Sequence, residues 1–298
     1  KNLYVAFIEL TLKITNSVFK NSMTIIPNTW MAGNNYIDMR KYLIDNKLID
    51  TIIQLPYDIF EVYVDTVILN LTNSKNDKVR YYKFNIREEF IDGFEYNHMP
   101  INTWKDTDEY SIFLDKDLIS LRKKYTFNSI KLSEISNIQR GTLPPKAKDI
   151  ANEKNQKSIP WFDGQIFRFL KKTNSVKYVI YENLKENKPK SLFESEKILA
   201  RQLISRSFRL QMTFTDEHLA FKKNLYAIYD LDKSYIDYYS LLAILNSKFY
   251  SFLIINSNTS GQRDDFPALS LRDFKNFLVP KIDNETKNIL QDLTSQIL

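Results

Sequence analysis

Cysteine is absent from this 298-residue chain, histidine occurs twice (His98 and His218), and glycine occurs five times (Gly33, Gly93, Gly141, Gly164 and Gly261). Without thiols there are no disulfides and no thiolate metal sites, which fits a reducing cytoplasm. Two isolated histidines make no histidine-based metal centre. Each glycine stands alone, so neither a G-x-G-x-x-G nor a G-x-x-x-x-G-K-S/T phosphate cradle can form. The longest apolar runs, such as Thr66 to Leu71 and Leu241 to Leu245, are far short of the roughly 20 residues a membrane helix needs. No basic, apolar leader opens the chain, and helical periodicity begins at once without an initiator Met. The expectation is a fragment of a longer cytoplasmic protein with no membrane partner.

What is present is an ordinary globular composition, 43% hydrophobic, with a net charge of +6. The length suits two domains. Residues 1–124 carry 16 Lys and Arg against 17 Asp and Glu, whereas residues 125–298 carry 26 against 19. The whole positive excess therefore sits in the second part. A polyanion partner and a merely well-solvated lysine surface both account for it.

Leu3, Phe7, Leu10 and Ile14 form a helical stripe, which predicts a first helix packed on a sheet. Strands are predicted at Ser22–Ile26, stopped by Pro27, then at Asp50–Leu55, Val64–Leu71 and Val79–Phe84, with a helix over residues 35–47. Helix and strand alternate first and strands follow one another later, as in an α/β sheet that finishes in an antiparallel hairpin. Residues 86–124 are acidic and weakly periodic, and read as a linker with a short helix near Lys116–Lys124. From Tyr125 to Tyr229 short strands dominate. A long helix over Tyr235–Ile255 and a last helix follow.

Four stretches carry candidate chemistry. Ile25-Ile26-Pro27-Asn28-Thr29-Trp30 ends one strand, and Leu55-Pro56-Tyr57-Asp58-Ile59-Phe60 ends the next. Ligand crevices in open α/β sheets lie outside such strand ends, so Phe60 either offers its ring to a flat substrate or plugs the sheet. A Gly/Pro loop runs from Ile138 to Lys146, with Arg140 on one side. The pair Arg201–Arg209 and Gly261–Phe266 is rich in Arg and Gln, the side chains that bond bidentately to base edges. Alternation would turn Arg201, Leu203, Ser205, Ser207 and Arg209 to one side and Gln202, Ile204, Arg206 and Phe208 to the other. A solvated edge strand is the competing account.

In this order the stretches resemble the C-terminal portion of the γ-type adenine DNA methyltransferases, the TaqI methyltransferase and its type IIG restriction-modification relatives. The resemblance spans nearly the whole chain. It rests on Asn2-Leu3-Tyr4-Val5-Ala6-Phe7-Ile8-Glu9, Ile26-Pro27-Asn28-Thr29-Trp30, Met39-Arg40-Lys41-Tyr42-Leu43, and Ile59-Phe60 with Val64-Asp65-Thr66-Val67-Ile68. Further along it rests on Pro160-Trp161-Phe162-Asp163-Gly164, Leu245-Asn246-Ser247, and Arg263 to Leu271. The fold it implies is the C-terminal part of a Rossmann-like methyltransferase sheet over residues 1–85, a linker over 86–124, and an α+β DNA target-recognition domain over 125–298.

The function it implies is transfer of a methyl group from S-adenosylmethionine to a flipped adenine in double-stranded DNA, with Phe60 stacked on the base. The cofactor glycine motif and the Asn-Pro-Pro-Tyr loop of that family have no counterpart here. The fragment is therefore expected to be a DNA-binding, inactive monomer that does not hold S-adenosylmethionine itself. No nuclease triplet of Asp, an acidic residue and Lys is apparent at workable spacing. Lys146, Lys148, Lys171 and Lys172 are candidate phosphate contacts, and Arg140, Gln165, Arg201, Arg206, Gln262 and Arg263 are candidate base readers. The alternative is a type I-like specificity subunit, which shares the Leu-Asn-Ser helix but begins with a recognition domain and has no I-P-N-T-W strand.

Overall fold

The computed structural model describes residues 3–15, 21–56, 59–61, 64–84, 93–143, 145–173, 176–205, 207–257 and 268–298. The chain divides into two compact units, Lys1–Lys123 and Lys124–Leu298, both mixed α/β.

The first unit contains α1 (Leu3–Ile14), β1 (Asn21–Pro27), α2 (Ile37–Asp45), β2 (Ile49–Gln54), β3 (Thr66–Thr72), β4 (Lys78–Lys83), β5 (Asn97–Pro100) and most of α3 (Lys116–Thr126). Its strands make one sheet in the order β1-β3-β2-β4-β5. β2 and β3 pair antiparallel, with β3 between β2 and β1, and β4 lies parallel to β2 on the other side and antiparallel to β5, so the consecutive strands β3 and β4 do not pair. The β-branched run of β2 and β3 is buried on both faces, with Ile49, Ile52, Val67 and Leu69 fully covered. Pro27 pairs with Thr66 and Gln54 with Val67, so the carboxyl ends of β1 and β2 open at the same edge. Asp50 accepts from Thr51, Asn70 and Arg80. Partial burial favours its neutral form, but these bonds and the Arg80 charge together hold the carboxyl below its ordinary range.

Two expectations are corrected here. Leu3, Phe7, Leu10 and Ile14 are exposed, and α1 buries the face of Ile8, with Tyr4, Val5 and Leu12 packed beside it. The helix is apolar nearly all round, so periodicity alone could not select the covered face. Residues 97–123 are no linker. β5 extends the sheet, Trp104 and Ile112 enter its core, and the Trp104 indole donates to the Phe113 carbonyl. Their contacts come from residues distant in sequence, which local periodicity does not register.

The second unit contains β6 (Ser129–Lys131), α4 (Leu132–Ile135), β7 (Asn137–Arg140), β8 (Ile150–Ala151), β9 (Ser158–Phe162), β10 (Gln165–Ile166), β11 (Lys171–Lys172) and β12 (Lys177–Ile180). Next come α5 (Ser191–Glu194), β13 (Lys197–Arg201), β14 (Met212–Thr215), β15 (Ala220–Phe221), β16 (Leu225–Tyr229), α6 (Tyr238–Asn246), α7 (Lys248–Asn256), α8 (Leu271–Lys275), β17 (Leu278–Pro280) and α9 (Asn284–Ile297). A central sheet has the order β14-β13-β16-β7, and a second has the order β15-β9-β12-β8.

Alternation along the central strands divides two cores. Ile198, Ala200, Tyr226 and Ile228 face a core shared with α6, α7 and α8. Leu199, Leu225, Ala227 and Tyr229 face a core shared with the second sheet through Trp161, Phe162, Val179 and Phe221. The single helix expected over Tyr235–Ile255 is two, α6 and α7, bent by 62°. Ser247 is extended (φ −65°, ψ 155°) and its hydroxyl accepts from the Tyr250 amide, so it ends one helix and caps the next. Among the described residues no single helix is long and apolar enough to cross a membrane.

Candidate nucleic-acid interface

A groove of about 700 Å³ opens in the second unit between the β10–β11 hairpin, the end of β13 and the turn before β16. Four cations line it, Lys172, Lys177, Arg201 and Lys222, together with Gln165 and Asn224, against one carboxylate, Asp163. Lys177 lies 3.4 Å from that carboxylate. Gly164 lines the wall, and Gly141 packs behind the lining residue Lys222. A Cβ on Gly164 would stand 2.1 Å from the Lys172 carbonyl, and one on Gly141 would stand 2.3 Å from the Phe221 carbonyl. Only a residue without a side chain lets these backbones approach so closely.

The structure gathers some of the expected contact residues and separates others. Gln165, Lys172 and Arg201 share the groove. Arg140 pairs across the strands with Tyr226 and Arg201 with Leu225, so the two arginines occupy opposite faces of the central sheet. Arg140 lies 5.6 Å from the centre of the Tyr226 ring, and its Nη2 donates to Gln202 Oε1 at 3.4 Å. Lys171 faces away from Lys172; its ammonium donates to Thr215 Oγ1 at 3.0 Å and pairs with Glu217 at 2.6 Å. Lys146 and Lys148 are exposed around the short turn Ala147–Asp149, apart from the groove lining. Arg206, Gln262 and Arg263 lie outside the described residues.

The alternation expected through 201–209 holds only at its start. β13 ends at Arg201 and Leu203 bridges to Ala268. The chain then turns, with the Ser205 amide donating to the Arg209 carbonyl and Phe208 at φ 52°. Lys177, Lys222 and Asn224 were not singled out in the sequence. Lys222-Lys223-Asn224 is a polar turn between strands, a visible signal, but its place in the groove follows from the parallel pairing of β15 with β9.

A buried cation nearby serves the fold instead. Lys197 is fully covered and donates to the Phe193 and Glu217 carbonyls, both at 3.1 Å. Burial, aided by the Lys171 charge and opposed by Glu217 and Asp216, pulls its ammonium down to about 8.

In the first unit a second candidate region lies at the carboxyl ends of β1 and β2. Asn28 Oδ1, Trp30 Nε1 and Thr66 Oγ1 are buried there without a hydrogen-bond partner among the described residues. Phe60 is 45% exposed, whereas Leu55 and Ile59 pack under the loop against Ile53 and Phe84. Leu55 and Ile59 therefore plug the sheet end and Phe60 is left at the surface. Tyr57 lies outside the described residues. Phe60→Ala should change unfolding free energy by less than about 0.5 kcal/mol, as exposed substitutions do. Urea denaturation of the two chains side by side measures this.

Comparison with known families adds the decisive observation. A profile of the TaqI-like C-terminal specificity domain matches residues 159–279, and one of the Eco57I restriction-modification methylases matches residues 1–60. Both matches are to components of restriction-modification enzymes, the methylase in the first unit and the specificity domain in the second. It is 28% identical over 288 residues to a protein of Methanocaldococcus jannaschii named as a type II restriction enzyme and methyltransferase, covering 91% of this chain and 24% of that one. The chain thus spans about a quarter of the length of the curated relative it matches. The type IIL restriction-modification enzyme MmeI, solved in complex with DNA, has a similar fold over 100% of this chain and 44% of its own (TM-score 0.59, 11% identity).

The groove residues, Asp163 to Leu225, all fall within the TaqI-like specificity domain. Arg140, Lys146 and Lys148 precede it. The methylase match ends at Phe60.

Proposed function

We propose that this chain is the C-terminal part of an adenine-specific DNA methyltransferase, with residues 1–85 completing a Rossmann-like sheet and the groove of the second unit reading double-stranded DNA. The observation that carries the reading is the groove itself, in which four cations and two amides surround one carboxylate inside a DNA target-recognition domain. Phosphates meet the lysines, and Arg201 and Gln165 present bidentate heads to base edges. Phe60 stacks on an adenine rotated out of the duplex, beside the strand ends where Asn28 and Thr66 hold polar atoms without a partner among the described residues.

S-adenosylmethionine supplies the methyl group in the longer protein. The residues here do not fit it: among the described residues Gly33, Gly141 and Gly164 each pack against backbone within 2.4 Å of where a Cβ would stand, and Gly93 stands alone in open space, so these glycines build no cofactor cradle. The chain alone is a cytoplasmic, DNA-binding monomer without transferase activity. The type I-like specificity subunit leaves residues 1–60, with their methylase match, unaccounted for.

Selection of random duplexes by the full chain should enrich one motif. Arg201→Ala should lose about 1–3 kcal/mol on that motif alone, while Lys172→Ala should weaken every duplex alike and lower the salt slope by about one. An Arg201→Ala protein that keeps the wild-type sequence preference refutes the assignment.

A further inference from the structure

Two arginines outside the groove meet at the joint between α6 and α7. Arg168 sits at the tip of the β10–β11 hairpin, where the Phe167 amide donates to the Leu170 carbonyl and the Phe169 amide to Met212. Arg209 ends the turn between β13 and β14, where its amide donates to Ser205 Oγ. Although 41 positions apart in sequence, both side chains donate to the Asn246 carbonyl, Arg168 through Nε at 3.2 Å and Arg209 through Nη2 at 2.7 Å.

We propose that Arg168 and Arg209 together form a binding site for one phosphate group of a nucleic-acid backbone. The inference rests on the DNA-binding reading above and adds a contact point beyond the groove. The charge balance is the first argument. Asn246 is the last residue of α6, and a helix carboxyl end offers only about half a negative charge. Two full positive charges therefore converge on a partial one. Neither guanidinium has a carboxylate within ion-pair distance among the described residues. Burial and then the Arg168 charge push Arg209 below its ordinary value, as expected for like charges held together without a counter-ion.

Placement is the second argument. Arg168 is exposed, and the strands of its hairpin carry Gln165 and Lys172 into the groove. A duplex with its base edges at the groove would bring its backbone across this hairpin tip. Planar guanidinium forks suit the oxygens of a phosphodiester. Each arginine commits one donor nitrogen to Asn246; Arg168 keeps both Nη atoms and Arg209 keeps Nη1 for an anion, while the Arg209 Nε is buried without a partner among the described residues.

The test measures duplex affinity against salt for the full chain and for Arg168→Gln, with inorganic pyrophosphate as a DNA-free probe. Arg168→Gln should lower the slope of log affinity against log salt by about 0.9, equally on preferred and random duplexes, without changing the melting temperature. Pyrophosphate should raise the melting temperature of the wild type and of Arg168→Lys more than that of Arg168→Gln. An unchanged salt slope in Arg168→Gln, with wild-type binding intact, overturns the phosphate site and leaves the groove reading standing. A wild-type chain that binds no duplex overturns the groove reading, and the pyrophosphate response then decides the site: equal responses of the three proteins reject it.

Discussion

Arg40→Met should destabilise the first unit by about 3–5 kcal/mol, although the replacement has nearly the same length and removes a charge from the interior. Arg40 is completely buried in α2. Its Nη1 donates to the Trp30 carbonyl at 2.7 Å and the Gly33 carbonyl at 2.6 Å, and its Nε and Nη2 to the Glu109 carbonyl at 3.2 and 2.9 Å. Burial pulls the guanidinium down to about 10, which leaves it charged at neutral pH. Methionine would fill the volume and leave three carbonyls short of a donor, the buried one of Trp30 and the part-buried ones of Gly33 and Glu109, each costing up to about 1–3 kcal/mol before any rearrangement or water entry. Arg40→Lys should recover part of the loss, since an ammonium has three donors but not the planar fork that reaches three turns at once. Urea unfolding followed through Trp30 and Trp104, both fully buried in this unit, reports the loss. A change below about 1 kcal/mol would show that the carbonyls find other partners.

The second large effect belongs to Asn246. This fully buried side chain behaves like a piece of strand: Oδ1 accepts from the Met212 amide at 3.2 Å and Nδ2 donates to the Met212 carbonyl at 3.0 Å. Met212 begins β14, at the edge of the central sheet. Asn246→Leu keeps the size but strands the Met212 amide and leaves the Met212 carbonyl only the Phe169 amide, and should cost about 1–3 kcal/mol. Asn246→Asp keeps the acceptor for the amide and sets a carboxylate oxygen against a carbonyl, so at neutral pH it should be at least as harmful. Thermal melts of the three proteins give the ranking. Wild-type stability in Asn246→Leu would remove the assignment of the Leu-Asn-Ser motif to backbone pairing. The neighbouring residues complete the motif, with Leu245 in the core and Ser247 capping α7.

Several parts of this organisation are legible in the sequence. The apolar runs at Asp50–Leu55 and Val64–Leu71 read as strands, and the strands lie at Ile49–Gln54 and Thr66–Thr72, because burial on two faces demands continuous apolar sequence. The amphipathic segment near Lys116–Lys124 reads as a helix, and the helix runs over Lys116–Thr126. Arg40 and Asn246 stand out as motif members, but their work, satisfying carbonyls and amides from other segments, is invisible to periodicity. Ser247 is a helix breaker only because its hydroxyl finds the Tyr250 amide; within an apolar stretch of helical spacing it looked like one more helical residue.

Motif order by itself determined what the chain resembles, a restriction-modification methylase with a TaqI-like specificity domain, because those short runs encode local geometry that the family repeats. Charge counting determined which part is basic. Tertiary structure alone decided which cations act together. Lys171 and Lys172 are adjacent yet part company across a strand, one to Glu217 and one to the groove. Arg201 and Arg140, both expected to read bases, stand on opposite faces of one sheet. Arg168, which no motif marks, and Arg209, at the end of the Arg-rich 201–209 stretch, share a carbonyl. The physical reason is the same each time: side-chain direction is local, with period two along a strand, but side-chain company depends on strand pairing and helix packing between distant segments.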